Sequence, residues 1–115
     1  MALSELEAAR AKKAMDNFLA RRRPPPDIRP QLDLGYRISG QSVEIFEVRP
    51  AWKSPNENME GAVAKATFVR TRNAWRIYWQ RADLKWHAYD PVPQVSALPE
   101  FLAVVEEDAY ACFWG

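Results

Sequence analysis

Ala62-Val63-Ala64-Lys65-Ala66-Thr67-Phe68-Val69-Arg70, Ala74-Trp75-Arg76-Ile77-Tyr78-Trp79-Gln80 and Leu84-Lys85-Trp86-His87-Ala88-Tyr89 decide the fold class. All three runs are rich in β-branched and aromatic residues, and only Thr71-Arg72-Asn73 and Arg81-Ala82-Asp83 separate them. Links that short join antiparallel neighbours, because a parallel return needs a crossover of roughly a dozen residues or more. Strand alternation places Trp75, Ile77 and Trp79 on one face and Arg76, Tyr78 and Gln80 on the other. Trp86 is expected on the tryptophan face. His87, in register with Lys85 and Tyr89, is expected on the mixed face beside Asp83 or a carboxylate of a neighbouring strand.

Upstream, Tyr36-Arg37-Ile38-Ser39 and Val43-Glu44-Ile45-Phe46-Glu47-Val48 flank Gly40-Gln41 and predict a hairpin. The stretch from Pro50 to Glu60 holds prolines, asparagines and Trp52, and is expected to be a long surface loop. Ser4 followed by Glu7 is a capping box, and Ala8, Ala11, Met15, Phe18 and Leu19 recur at helical spacing, so a helix is expected over about 5–22. Arg21, Arg22 and Arg23 suit the C-terminal end of its dipole, and Pro24-Pro25-Pro26 ends it. Residues 24–33 are expected to be an extended, polyproline-like connector. After Pro91 and Pro93, Ser96 is expected to cap a helix over about 97–108 carrying Leu98, Phe101, Leu102 and Val105 on one face. The expected organisation is one α+β domain over 1–115. It is an antiparallel meander of about five strands over 34–90, with an N-terminal and a C-terminal helix packed on the tryptophan face.

With 115 residues, 48% hydrophobic and 27% charged, the chain has the composition of a single globular domain with its own core. Sixteen Lys+Arg against fifteen Asp+Glu leave a net charge of +1, so no whole-molecule field drives binding to nucleic acid or anionic lipid. Charge is nevertheless segregated along the chain. Lys65, Arg70, Arg72, Arg76, Arg81 and Lys85 face only Asp83 between 62 and 89, whereas Glu106-Glu107-Asp108 closes the second helix. Those acids sit where the helix dipole disfavours them, which calls for a nearby cation, either a strand arginine of the same chain or a basic partner. The lone Cys112 has no disulfide partner, the N-terminus does not resemble a secretory signal, and no apolar run approaches a membrane span, so a cytoplasmic protein away from membranes is expected.

No phosphate loop, GxGxxG, GxSxG or HExxH pattern is present and no CxxC pair exists, so neither cofactor nor metal is expected. Arginine interleaved with aromatics on a sheet is the combination that single-stranded nucleic-acid binders use, cations meeting phosphates and rings stacking on bases. The candidate set is Arg70, Arg72, Arg76, Arg81 and Lys85 with Tyr78 and Tyr89. The plainer reading makes the tryptophans core and the cations a solvated face. A third reading gathers His87, the only histidine, with Asp83 and Glu44 in one pocket for acid–base or ligand chemistry. Glu44 and Glu47, three apart in a strand, point to opposite faces and make a poor pair. The terminal Phe113-Trp114 is expected to dock on the core or on a second copy, since burying the phenylalanine alone contributes about 1.5–3 kcal/mol.

Gly35-Tyr36-Arg37-Ile38-Ser39-Gly40-Gln41-Ser42-Val43-Glu44-Ile45, Ala64-Lys65-Ala66-Thr67, Trp79 through His87 and Glu106 through Gly115 resemble the bacterial family called domain of unknown function 3024. The likeness covers nearly the whole chain. It implies a small bacterial cytoplasmic protein standing alone as a single domain, and it implies no activity, ligand or catalytic residue. The reading from the residues is a non-catalytic binding or protein-interaction module, with an edge strand or the aromatic tail as its routes to a homo-oligomer. A binder of single-stranded nucleic acid or another polyanion, and a small-ligand protein or enzyme around His87, stand as the alternatives.

Overall fold

A computed structural model describes residues 2–54 and 56–114. Met1, Pro55 and Gly115, touched by the expectations for the N-terminus, the long loop and the tail, lie outside the described residues. The first helix, α1 (Glu5–Arg22), starts on the capping box: the Glu7 N–H donates to Ser4 Oγ at 3.1 Å, and the Ser4 N–H donates to Glu7 Oε1 at 2.8 Å. Its Ala11, Met15 and Phe18 stripe is buried. Six strands follow among the described residues: β1 (Asp33–Ser39), β2 (Ser42–Pro50), β3 (Asn58–Val69), β4 (Ala74–Gln80), β5 (Trp86–Ala88) and β6 (Gln94–Val95), with a 3-10 turn at Arg70–Arg72 between β3 and β4. The last helix is α2 (Leu98–Glu107). The sheet is antiparallel in the order β1-β2-β3-β4-β5, a meander, and β6 shares the β4 edge with β5.

Both helices lie on one face. Met15, Phe18, Val43, Ile45, Ile77, Tyr89, Phe101 and Val105 form the fully buried centre of the core, joined by Trp75 and partly by Trp79. Gly40 takes φ 60° in the two-residue link that pairs Ser39 with Ser42, a conformation glycine adopts without a Cβ penalty. Val63 and Ala64 are adjacent yet both buried, which strict alternation forbids; a bulge where the β2 register shifts between Ile45 and Phe46 absorbs the extra residue. Among the described residues no helix is long and apolar enough to cross a membrane.

Several expectations are corrected. The connector after α1 is folded rather than extended: Ile28 N–H and Arg29 N–H donate to Pro25 O, and Leu32 N–H donates to Ile28 O. Proline's fixed φ suits the first positions of helical turns as well as extended chain, and here the turns win. Arg23 closes this loop with two bonds to Asp33, at 2.8 and 2.7 Å. β3 begins at Asn58 and β2 runs to Pro50, so the long loop shortens to 51–57. β5 covers only Trp86–Ala88, because Leu84 adopts φ 63° in the preceding turn. Ala97, not Ser96, is the N-cap of α2 and makes no side-chain cap bond; Ser96 Oγ donates to Glu100 Oε1 instead.

The carboxylates that tie the elements together predict acid lability. The Arg23 guanidinium holds Asp33 below its ordinary value, Arg70 does so for Glu7, and Lys12 followed by the Tyr36 hydroxyl for Asp16. Depressed folded values contribute stability that is complete above the unfolded values and is lost as pH falls through the folded ones. Thermal midpoints are therefore expected to start falling below about pH 4.5, where these carboxyls begin to protonate in the unfolded chain. Tyr36 works at the other end. Burial, then its 2.8 Å bond to Asp16, pushes its hydroxyl up from 10.0 to about 12, so its share is complete below 10.0 and lost as pH rises through about 12. Melting curves across the pH range check both limbs.

Candidate functional site

Cross-strand register defines the face the helices leave open. Arg37 pairs with Glu44, Glu44 with Lys65, Lys65 with Tyr78 and Tyr78 with Ala88, while Ser42, Thr67, Arg76 and Gln94 form a parallel row. None of these side chains is buried. Three aromatic rings, those of Phe46, Tyr78 and Trp86, stand half-exposed on this face and pack outside the hydrophobic core. The Phe46 ring lies so close over Gly35 that a Cβ there would meet it at 2.8 Å, so a larger residue at 35 would have to displace this ring.

Charge divides the open face in two. On the β1–β2 side Arg37 is neutralised by Glu60 and by Glu44 at 3.9 Å, and its guanidinium sits 4.5 Å from the Phe46 centroid. On the β3–β5 side the Lys65 ammonium lies 5.2 Å from the Tyr78 centroid and 4.9 Å from that of Trp86, and Arg76 lies 6.0 Å from Tyr78. Neither Lys65 nor Arg76 forms an ion pair among the described residues. This half of the face is a cation–π surface with free positive charge.

The candidate residues are not one patch. Arg76 and Tyr78 share the open face. Arg70 and Arg72 sit in the 3-10 turn at one end of the sheet, where Arg70 donates to Glu7 at 2.8 Å. Arg81 and Lys85 lie at the opposite end, in the β4–β5 link, with Arg81 5.6 Å from the Trp79 centroid. Tyr89 is corrected outright: it is 1% exposed, its N–H donates to Ile77 O and its ring packs 4.8 Å from Phe113. Trp86 and His87 exchange their expected faces, since Trp86 pairs with Gln80 on the open side and His87 with Trp79 on the helix side. The turn through Leu84 sets this register, and a shift of one residue moves every side chain of a strand to the other face. Lys65 and Trp86, the two residues that complete the open face, were absent from the expected set. The alternation of Lys65 with Ala64 and Ala66 was the available signal for the lysine.

The His87 pocket does not assemble. His87 Nε2 and Asp83 Oδ2 are 2.8 Å apart, and the Lys85 N–H, then His87, hold the Asp83 carboxyl below its ordinary range. Glu44 is on the other face of the sheet, three strands away. Glu47 shares the face of Leu34, opposite to Glu44 as expected. A cleft of about 360 Å³ between α1 and the start of α2 is floored by Phe68, Trp75 and Leu98, but its only carboxylate, Glu7, is taken by Arg70. Among the described residues no group of three His, Cys, Asp or Glu is placed to hold a metal ion.

The C-terminal acids and the tail explain each other. Asp108, in a left-handed conformation at the end of α2, accepts the N–H groups of Phe113 and Trp114, both at 3.0 Å. Trp114 Nε1 donates to Val105 O at 2.9 Å, and Phe113 is 7% exposed. The tail therefore docks on its own core. Glu106 is neutralised by Arg21 of α1 at 2.8 Å, rather than by a strand arginine or a partner.

These features define a two-layer α+β domain, with one antiparallel sheet, two terminal helices on one face and a cationic aromatic surface on the other. The chain belongs to the family described as Domain of unknown function (DUF3024), whose model matches residues 3–115. No curated protein and no solved structure matches it.

Proposed function

We propose that the chain is a non-catalytic binding module whose working surface is the open face of the sheet, and that its ligand is single-stranded nucleic acid. The observation that carries this reading is the placement of Lys65 over both Tyr78 and Trp86, next to Arg76, with neither cation spent on a carboxylate among the described residues. Half-exposed rings stack on unpaired bases, worth about 1–3 kcal/mol per base, and free cations meet the phosphates between them. Of the other rings, Phe18, Phe68, Trp75, Tyr89, Phe101 and Phe113 are core, and the exposed Trp52 and Tyr110 lie off the sheet, in the loop after β2 and in the tail after α2. An unpaired cysteine suits a reducing compartment, and we place the protein in the bacterial cytoplasm, where such ligands are plentiful.

Anisotropy of a labelled oligonucleotide, read at about 50 and 200 mM salt, tests this reading, because polyanion binding weakens steeply across that range. Lys65→Gln/Arg76→Gln removes two phosphate contacts, so the slope of log affinity against log salt is expected to shrink by about 1.4, at about 0.7 per contact. An unchanged slope would move the contacts off the open face, and no binding at the lower salt would end the nucleic-acid reading.

A further inference from the structure

A cation meets the phosphates of any sequence, so Lys65 and Arg76 hold a polynucleotide without choosing among its bases. Choice needs a neutral group that both donates and accepts, placed at the edge of a stacked base. On the open face the Ser42 and Thr67 hydroxyls bond each other at 2.7 Å, and the Glu44 carboxylate is drawn to Arg37. Two carboxamides on this face, those of Gln80 and Gln94, make no side-chain hydrogen bond among the described residues. Gln94 lies opposite Arg76, whereas Gln80 lies opposite Trp86 and two residues from Tyr78 on the same strand. Cross-strand partners have Cβ atoms about 4.5–5.5 Å apart, and same-face neighbours along a strand are about 7 Å apart. Both stacking rings therefore flank the Gln80 amide. No buried side-chain N or O among the described residues lacks a partner, so this unbonded amide reaches the surface.

We propose that Gln80 is the specificity-determining residue of the open face and that its carboxamide selects adenine, an inference that rests on the nucleic-acid reading of that face. A glutamine carboxamide carries an acceptor and a donor side by side, and it pairs with adenine through N6 and N7. Gln80 Oε1 accepts from the exocyclic N6–H and Gln80 Nε2–H donates to N7, while the purine stays stacked on the Trp86 indole. Guanine presents two acceptors on the same edge, O6 and N7, and leaves Oε1 facing an oxygen. Pyrimidines have no N7 and offer the smaller ring to the indole. Stacking and phosphate contacts tolerate every base, so a thymidine oligomer still binds, more weakly.

Competition at about 50 mM salt among thymidine oligomers that carry a single adenine, guanine or cytosine, or none, tests the assignment on the full chain. One adenine is expected to tighten binding about five- to 150-fold over the all-thymine oligomer, the range of one good bidentate pair. Gln80→Leu is expected to bring that ratio close to one, and Gln94→Leu to keep it. Gln80→Glu retains the shape but only accepts, so adenine N7 meets a second oxygen and the preference is expected to move to cytosine, whose N4–H donates. Circular dichroism checks that each variant is folded. Equal affinity for all four oligomers, preference for another base, or an adenine preference that survives Gln80→Leu would overturn the inference and leave the nucleic-acid reading standing. Binding of none of them would end both.

Discussion

Trp86→Ala is expected to weaken binding of a single-stranded oligonucleotide by about 1–3 kcal/mol, roughly five- to 150-fold, with little loss of stability. The ring lies opposite Gln80 on the open face, half-exposed and outside the core, so its removal leaves no cavity among the helices. It also withdraws one of the two rings over which the Lys65 ammonium is held. Trp86→Phe keeps a stacking surface and should recover most of the affinity, which separates a stacking role from a merely structural one. Equal affinity for the alanine variant and the unaltered chain would remove Trp86 from the site.

Phe113→Ala is expected to cost about 3–5 kcal/mol of stability, the range for truncating a buried phenylalanine. Against a total of roughly 5–15 kcal/mol for a small domain, that is a large fraction. Phe113 is 7% exposed and packs on the fully buried Tyr89, and the segment that delivers it is held by the Asp108 carboxylate and by Trp114 Nε1 on Val105 O. Urea titration should show a lower midpoint at an unchanged m-value. A loss below about 1 kcal/mol would mean that the tail decorates the core rather than closing it.

How much of this was legible in the sequence depended on whether the signal was local. The Ser4–Glu7 box, the Ala11-Met15-Phe18 stripe and the proline run bound α1 at Glu5 and Arg22, because caps and helix periodicity are properties of neighbouring residues. The tryptophan face of β4 was legible for the same reason, since alternation within one strand is local. Relations between strands were not. Whether Trp86 or His87 shares a face with Trp79 depends on a link in which Leu84 adopts a left-handed φ, a conformation few bulky residues signal in advance. Asn58 and Glu60 fall in the stretch that reads as a loop, yet pairing with Pro50 and Val48 draws them into β3. β6 has only two residues and follows two prolines, so nothing periodic marks it. Placement of the candidate residues follows the same division: Arg76 and Tyr78, on β4 itself, share the face that alternation predicts, Tyr89 is buried instead of lying on it, and Lys65 and Trp86, whose partnership spans three strands, join that face from outside the expected set.

Backbone amide shift mapping during titration with a short oligothymidine at low salt tests the central claim most directly. Perturbations confined to Lys65, Thr67, Arg76, Tyr78, Gln80, Trp86 and Ala88 are the predicted result, tracing the open face across β3, β4 and β5. Shifts concentrated on α1, α2 or the cleft beside Trp75, or none at all, would contradict it.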